Sequence, residues 1–258
     1  MTLLSPRMIL ILTAAVALAN DTPAMSQVIT SAEVVSFSLP SLAGSPASPL
    51  LKLKVETTGK GNPVSLTSVQ VTLDGTIKVS EISEFQICLG DAKGDFTKDR
   101  KLCDSVVTPV SPTSETRGYI LSCPSGACQL AAGTNTVWIS GKINKDANTD
   151  HRVGMTCKEV AFSDGTSKKP DASSSMQRLG IALRNAGDDG VHTYRIPGLA
   201  RTNKGSLISV YDIRYRSQRD LPGDLDVGMS RSTDGGRTWA PMQVIMDMGN
   251  DPQWQFDG

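Results

Sequence analysis

The chain has 258 residues, of which 39% are hydrophobic, so it can bury one large core or two modest ones. Its 26 lysines and arginines balance its 26 aspartates and glutamates, and no long run of either sign occurs. This composition argues against a phosphate-neutralising surface, and therefore against nucleic acid as a partner.

The first 19 residues have the pattern of a secretory signal peptide. Arg7 precedes an apolar run at residues 8–19, which ends in the small-residue pattern Ala17, Leu18, Ala19. A transmembrane helix needs about 20 apolar residues, so this run is too short to be a membrane anchor. We expect cleavage near Ala19, a secreted or periplasmic protein, and no membrane span.

Residues 20–162 predict an antiparallel β-sandwich. Segments such as LLKLKVETT, VSLTSVQVTL and NTVWISGKI are separated by clusters of Gly, Pro, Asp and Ser, and no helical pattern interrupts them. Alternating apolar and polar residues are typical of strands with one buried and one solvated face. Several such strands at this spacing favour a sandwich.

Five cysteines lie in this region: Cys88, Cys103, Cys123, Cys128 and Cys157. Export permits disulfides, and the odd number leaves at least one thiol unpaired within the chain. Cys123 and Cys128 flank the turn sequence PSGA, and Cys88 and Cys103 flank a polar loop, so these two pairs are the candidate bridges. A zinc site is not expected, because the chain has two histidines and no CxxC spacing.

Residues 163–177, SDGTSKKPDASSSMQ, lack a strand pattern and are interpreted as a linker. Residues 178–258 then form the second predicted unit. Strand patterns resume there in LGIALR, YRIPGLAR, SLISVYDIRY and LDVGMSRS. Turn residues separate these segments, which predicts antiparallel strands again.

The stretch SRSTDGGRTW, residues 230–239, fits a hairpin turn with a structural role for Ser232, Asp234, Gly236 and Trp239. A hydroxyl and a carboxylate can accept hydrogen bonds from turn amides, glycine tolerates a positive φ, and tryptophan can pack beneath the loop. The pattern resembles the aspartate box of bacterial sialidases and other β-propellers. In them the box joins the third and fourth strands of a blade, away from the substrate.

The segment YRIPGL, residues 194–199, resembles the Arg-Ile-Pro signature that opens the catalytic domain of sialidases. The aspartate box follows at the family's usual separation, and the resemblance covers about residues 179–239. It points to secreted bacterial exo-α-sialidases with a β-sandwich ahead of a six-bladed propeller. The implied fold is all-β: a sandwich, then the first one or two blades of an unclosed propeller, since a blade takes about 40–50 residues.

By this resemblance, Arg195 is the first of three arginines that hold the sialic acid carboxylate. A guanidinium can donate two parallel, charge-assisted hydrogen bonds to a carboxylate, which lysine cannot do. An ordinary surface ion pair is the alternative for Arg195. Arg214 resembles an arginine beside the sugar's ring hydroxyls, although stacking or an ion pair with Asp212 would explain it equally well.

The resemblance also implies that Asp220 is the proton donor to the leaving group and then the base for water. Asp224 lies in a PGD turn and Asp226 in a strand, so simpler roles are expected for them. Asp188 and Asp189 are interpreted as turn residues.

The family's nucleophilic tyrosine, its glutamate partner and two further arginines are expected beyond residue 258. The implied activity of the parent enzyme is exo-hydrolysis of terminal α-linked sialic acid from glycoproteins, glycolipids or oligosaccharides, with retention of configuration. No metal or organic cofactor is implied, and we expect no turnover from these 258 residues alone.

Two alternative functions are a secreted carbohydrate-binding or adhesive module and a propeller hydrolase for neutral sugars. An exposed aromatic face including Trp138 and Tyr119 would favour the first, although Trp138 is equally consistent with the core. Neutral sugars do not require a carboxylate-binding arginine, which disfavours the second.

Overall fold

The computed structural model describes residues 25–91, 93–96, 101–103, 105–110 and 117–249. The predicted signal peptide, residues 1–19, lies outside them. Over the described ranges the chain is all-β, as predicted, with two single-turn 3-10 helices at Val79–Glu81 and Asp188–Gly190. No helix in these ranges has the length and apolar character needed to cross a membrane.

The strands are β1 (Val28–Val34), β2 (Ser41–Ala43), β3 (Ser48–Thr58), β4 (Leu66–Gly75), β5 (Ile82–Leu89), β6 (Lys101–Cys103), β7 (Val106–Pro109), β8 (Gly118–Ser122), β9 (Gly133–Ile143), β10 (Arg152–Phe162), β11 (Ser167–Lys168), β12 (Ala172–Ser173), β13 (Gln177–Ile181), β14 (Thr193–Arg201), β15 (Leu207–Arg214), β16 (Leu225–Ser232) and β17 (Gln243–Met246).

Two sheets build the N-terminal sandwich. One sheet has the strand order β1-β3-β9-β5-β6, and the other has the order β2-β13-β10-β4-β8-β7. All pairings are antiparallel except that of β13 with β2. A third sheet, β14-β15-β16-β17, is a separate four-stranded meander.

The alternation in the sequence explains the sandwich core. Leu51, Leu53 and Val55 alternate along β3 and are fully buried, and Val69 and Val71 do the same along β4. Because successive side chains of a strand point to opposite faces, each sheet presents one apolar face to the other. These residues belong to a single hydrophobic cluster that extends through both sheets.

Trp138 lies on the other face of β9 and is only 2% exposed. The rings of Phe37 and Phe96 pack edge-on against it, with centroids at 5.1 and 5.4 Å. The Lys52 ammonium lies 4.9 Å from the ring centroid, and the indole Nε1 donates to the Gly94 carbonyl at 3.2 Å. Trp138 therefore belongs to the protein interior. Tyr119 is also buried, at 6% exposure, so neither residue forms an exposed aromatic face.

Neither predicted disulfide is present. Cys88 lies opposite Leu102 in the β5–β6 ladder, whereas Cys103 lies opposite Ile87. Alternation therefore places Cys88 and Cys103 on opposite faces of their sheet, out of bonding reach. Cys123 and Cys128 are free thiols that share a cluster with Cys103.

The expectation of a free linker at residues 163–177 is not met, because this segment lies along the sandwich. The two-residue strands β11 and β12 pair with β10, and the Ser174 hydroxyl accepts a hydrogen bond from the Met155 amide at 2.9 Å. Strand β13, which was expected in the second unit from residue 178, pairs with β10 and β2. Without these pairings, the edge of β10 that faces away from β4 would have backbone N–H and C=O groups without partners. The backbone of a polar segment can satisfy these groups as well as that of an apolar one.

The carboxylate of Glu81 joins three parts of the sandwich. It accepts hydrogen bonds from the amides of Lys78 and Asn148, at 2.7 and 2.9 Å, and lies 2.8 Å from Nδ1 of His151. Burial alone would raise the pKa of Glu81, but these hydrogen bonds outweigh burial and hold the pKa below its usual value of 4.5.

Replacing Glu81 by glutamine is expected to lower the free energy of unfolding by about 1 kcal/mol at pH 7, since solvent screening limits the effect. A carboxylate with a lowered native pKa stabilises the fold above its unfolded pKa, and this advantage disappears as the pH falls through the native value. Urea unfolding of Glu81→Gln and the unchanged chain should therefore differ at pH 7, and the difference should shrink as the pH falls below 4.5. The exposed Glu84→Gln is the control, and a pH-independent difference would contradict the assignment.

Candidate functional site

A β-bulge shapes the region around the Arg-Ile-Pro signature. Arg195 lies opposite Asp212 in the β14–β15 ladder, and the register shifts between Arg195 and Gly198. Ile196, between them, has a φ of 52°. This conformation is rare for a β-branched residue and costs on the order of 1–3 kcal/mol. Bulges of this kind re-aim side chains, and strain of this kind is concentrated at functional sites.

Arg195 is exposed, and its Nη1 donates to the carbonyl of Gln218 at 3.3 Å. Among the described residues it has no acidic partner. It borders a cavity of about 240 Å³ whose lining includes Tyr194, Ser209 and Tyr211. The guanidinium therefore retains donors for an external anion.

Arg214, by contrast, is 2% exposed. Its Nε and Nη2 donate to Oδ2 of Asp212, at 3.2 and 2.7 Å, and its Nη1 donates to the Gln218 carbonyl at 2.9 Å. Residues two apart on a strand share a face, which explains the Asp212 pairing. Of the two interpretations, the structure shows the ion pair with Asp212.

Asp220 lies close to Arg214, on the loop between β15 and β16. Its side chain is 79% exposed, and its Oδ1 lies 3.6 Å from Nη2 of Arg214. Because Arg195 and Arg214 donate to the same Gln218 carbonyl, the loop brings the three candidate residues together.

The two neighbouring carboxylates have internal partners. Asp224 lies 3.7 Å from Nε of Arg216. Asp226 is 6% exposed and accepts hydrogen bonds from the Tyr215 hydroxyl and the Met248 amide, both at 2.9 Å. These contacts agree with the simpler roles expected for them.

The aspartate box is a closed set of turn hydrogen bonds between β16 and β17. The Ser232 hydroxyl donates to Oδ1 of Asp234 at 2.8 Å and accepts from the Gly236 amide at 2.9 Å. The hydroxyl and amide of Thr238 donate to Asp234 at 2.6 and 3.0 Å, and the Trp239 indole donates to the Gly236 carbonyl at 3.1 Å. The hydrogen bonds from Thr238 and Ser232 hold the pKa of Asp234 well below its usual range. Its carboxylate is therefore committed to the turn.

Removing the Ser232 hydroxyl is expected to lower the free energy of unfolding by about 1–2 kcal/mol, because the Gly236 amide and the Asp234 carboxylate each lose a partner. Urea unfolding of Ser232→Ala measures this loss. Thr233→Ala removes an exposed hydroxyl from the same turn and serves as the control. Equal midpoints for the two variants would show that the box hydrogen bonds are not stabilising.

Arg184 was not predicted to be a site residue, although it also borders the 240 Å³ cavity. Its Nε donates to the Tyr211 hydroxyl at 3.1 Å and its Nη2 to the Ser230 hydroxyl at 3.0 Å, while Nη1 lies 3.8 Å from Oδ2 of Asp189. In the sequence, Arg184 is marked only by the position of its charge directly after the apolar run LGIAL. These contacts tie the segment after β13 to β15 and β16.

Two tyrosines near the site are neutral hydrogen-bond donors. Burial and nearby Asp189 raise the pKa of Tyr194 to about 12. Burial and the hydrogen bond to Asp226 raise the pKa of Tyr215 to about 12. A phenol that acts as a nucleophile needs the opposite shift, so neither residue is suited to that role.

The sandwich contains a further cavity, of about 480 Å³, lined by polar groups including Asp91 and Asn135. None of the described residues that line it is aromatic. Asp91 accepts hydrogen bonds from the amides of Lys93 and Asp95, and Asn135 bonds to the backbone of Ala131. The cavity thus lacks both a stacking surface and uncommitted carboxylate or amide groups at these positions for a sugar.

A family model described as the N-terminal domain of BNR-repeat neuraminidase matches residues 29–166. A sialidase from Bacteroides fragilis is 40% identical over 127 residues, which make up 48% of this chain and 23% of that protein. A sialidase from Micromonospora viridifaciens is 46% identical over 59 residues, 23% of this chain and 9% of that protein.

Among solved structures, the Hadza microbial sialidase Hz136 superimposes with a TM-score of 0.63 at 26% identity, covering 82% of this chain. The superposition covers 43% of that sialidase. The chain therefore spans less than half the length of each of these relatives.

Proposed function

Because the chain belongs to the family of N-terminal domains of BNR-repeat neuraminidases, we propose that it is the N-terminal part of a secreted exo-α-sialidase. In this proposal the sandwich occupies residues 20–162, extended by the strands up to residue 181. The four-stranded sheet of β14–β17 is then the first blade of a propeller. The reaction is hydrolysis of terminal α-linked sialic acid from glycoproteins, glycolipids or oligosaccharides, with retention.

The observation that carries the proposal is the convergence of Arg195, Arg214 and Asp220 on one loop. Arg195 is exposed and has no acidic partner in the described part of the chain, so its guanidinium can receive a carboxylate. Sialic acid carries a carboxylate on its anomeric carbon, and neutral sugars do not. An exposed arginine beside a cavity is the feature that this substrate requires.

The three side chains take different roles. Arg195 binds the carboxylate of the substrate. Asp220 is exposed at the loop, where its carboxyl group can protonate the leaving oxygen and later accept a proton from water. Arg214 is a positioning residue, because it is buried and holds the Gln218 carbonyl and Asp212.

The carbohydrate-binding alternative has no comparable support. Trp138 and Tyr119 are buried, and Asp91 and Asn135, which line the cavity described above, are hydrogen-bonded within the protein. The proposed enzyme chemistry uses side chains and water alone.

The test compares the 258-residue chain with a version extended by any coding sequence downstream of residue 258. Both are assayed with a fluorogenic aryl sialoside and with an aryl galactoside as the neutral-sugar control. We expect the extended protein to release sialic acid and the 258-residue chain to show no turnover, since the raised pKa values of Tyr194 and Tyr215 disfavour the deprotonation that a nucleophile needs. Hydrolysis of the galactoside, or turnover by the shorter chain, would overturn the proposal.

Replacing Asp220 by asparagine in the extended protein is expected to reduce kcat about 100-fold on sialyllactose, whose leaving group needs a proton. The loss should be much smaller on an aryl sialoside, whose leaving group departs without one. Asp224→Asn is the matched control in the same loop. Equal losses on both substrates would mean that Asp220 is not the acid.

A further inference from the structure

Three buried thiols meet at one edge of the sandwich, away from the proposed sialic acid site. Cys103 ends β6 in the first sheet, and Cys123 directly follows β8 in the second. Cys128 comes after the turn that follows Cys123. The three Sγ atoms all lie within 4.8 Å of one another, so the cluster joins the two sheets.

The three thiols differ in accessibility. Cys128 is fully buried, whereas Cys103 and Cys123 are 5% and 8% exposed. A cavity of about 480 Å³, lined by Gln86, Cys103 and Pro124 among others, lies beside the cluster. The cavity therefore gives a small reagent a route to Cys103, and Cys123 keeps a small exposed fraction, whereas Cys128 has none.

Hydrogen bonds within the cluster favour a thiolate at Cys123. The thiols of Cys103 and Cys128 both donate to its sulfur and lower the pKa of Cys123. The same interaction with Cys123, together with burial, raises the pKa of Cys103. A nucleophilic sulfur thus lies beside a protonated one, which is the arrangement that thiol–disulfide exchange needs.

We propose that Cys103 and Cys123 form a disulfide across the two sheets when the protein meets a low-molecular-weight disulfide, and that Cys128 stays a thiol. A disulfide requires sulfurs about 2.05 Å apart, and the cluster already holds its three sulfurs within 4.8 Å of one another. A structural zinc site uses four protein ligands, and the described cluster has three. The cross-sheet bridge is therefore favoured over a metal.

The reaction balances with oxidised glutathione as the oxidant. The Cys123 thiolate attacks one glutathione sulfur and expels the other glutathione as a thiolate. The Cys103 thiol then loses its proton, attacks Sγ of Cys123 in the mixed disulfide, and expels the second glutathione. The two cysteine sulfurs, one a thiolate and one a thiol, are oxidised by two electrons. One glutathione disulfide is reduced to a thiol and a thiolate, and the thiol carries the proton that Cys103 lost.

The experiment maps the bridge by mass spectrometry. The folded 258-residue chain is treated with oxidised glutathione, alkylated in denaturant and digested with trypsin without reduction. Cleavage after Lys101, Arg117 and Lys142 gives peptide 102–117, with Cys103, and peptide 118–142, with Cys123 and Cys128. We expect these two peptides to be linked. Peptides 79–93 and 153–158, with Cys88 and Cys157, are internal controls and should be found alkylated.

Two variants identify the bonded sulfur on peptide 118–142. Cys128→Ala should keep the linked peptides, and Cys123→Ala should lose them at the same oxidant concentration. Oxidation should also raise the Tm of the unchanged chain by about 5–10 °C, because the bridge closes a loop in the unfolded state.

Several results would overturn the proposal: five alkylated cysteines, a bridge confined to peptide 118–142, linked peptides in Cys123→Ala, or one tightly bound metal ion per chain that protects the thiols. Fragmentation of the linked peptides from the unchanged chain shows whether Cys123 or Cys128 carries the alkyl group, so the test stands even if a variant fails to fold. None of these measurements depends on sialidase activity.

Discussion

Replacing Arg195 by alanine in the extended protein is expected to reduce kcat/KM for an aryl sialoside about 1,000-fold. The loss follows because the carboxylate of the substrate loses one of its charge-assisted partners in the site, which costs about 2–5 kcal/mol. Lysine should recover only a small part of the activity, since an ammonium group cannot donate the two parallel hydrogen bonds of a guanidinium. Steady-state kinetics of Arg195→Ala and Arg195→Lys measure both effects.

Arg201→Lys is the matched control, because Arg201 is also exposed and lies on the same strand, β14. It should leave kcat/KM unchanged. Full activity of Arg195→Lys would mean that a single positive charge is sufficient. The proposed pair of parallel hydrogen bonds to the carboxylate would then be wrong.

Replacing Trp138 by alanine is expected to lower the free energy of unfolding of the sandwich by about 3–5 kcal/mol. The variant loses the ring contacts with Phe37 and Phe96, the Lys52 contact and the hydrogen bond to Gly94. Urea unfolding followed by far-UV circular dichroism measures the change.

Trp138→Phe retains an aromatic ring and should cost much less, because it mainly loses the indole hydrogen bond. The pair also discriminates between functions. If Trp138 were a surface platform for glycans, Trp138→Ala would abolish glycan binding while leaving the unfolding midpoint unchanged. A loss of stability below about 1 kcal/mol would contradict the burial argument.

The sequence was sufficient to predict an all-β sandwich, because alternating apolar residues in a strand indicate which side chains face a core. Leu51, Leu53 and Val55 are buried as the pattern LLKLKVE indicates. The same alternation rules out the Cys88–Cys103 bridge, but only once the register of β5 and β6 is known. Spacing along the chain gives no such register, so the cysteine pairing was wrong.

Site residues that form hydrogen bonds within one short motif were predictable from the sequence. Those whose hydrogen-bond partners lie on distant segments were not. The aspartate box closes within residues 232–239, so its hydrogen bonds follow from local spacing. Arg184 was missed because its partners, Tyr211 and Ser230, lie on two later strands. The partner of Arg214 stayed open in the sequence for a different reason, since choosing between Asp212 and a sugar depends on burial.

The pairing of residues 167–181 with β10 determines where the gene can be divided. A recombinant sandwich that stops at residue 162 would lack β11, β12 and β13, and one edge of β10 would be stripped of its hydrogen-bonding neighbours. Strand β2 would also lose its parallel neighbour. An expression boundary placed after Ile181 keeps these edges covered. A boundary within the polar residues 163–177 does not.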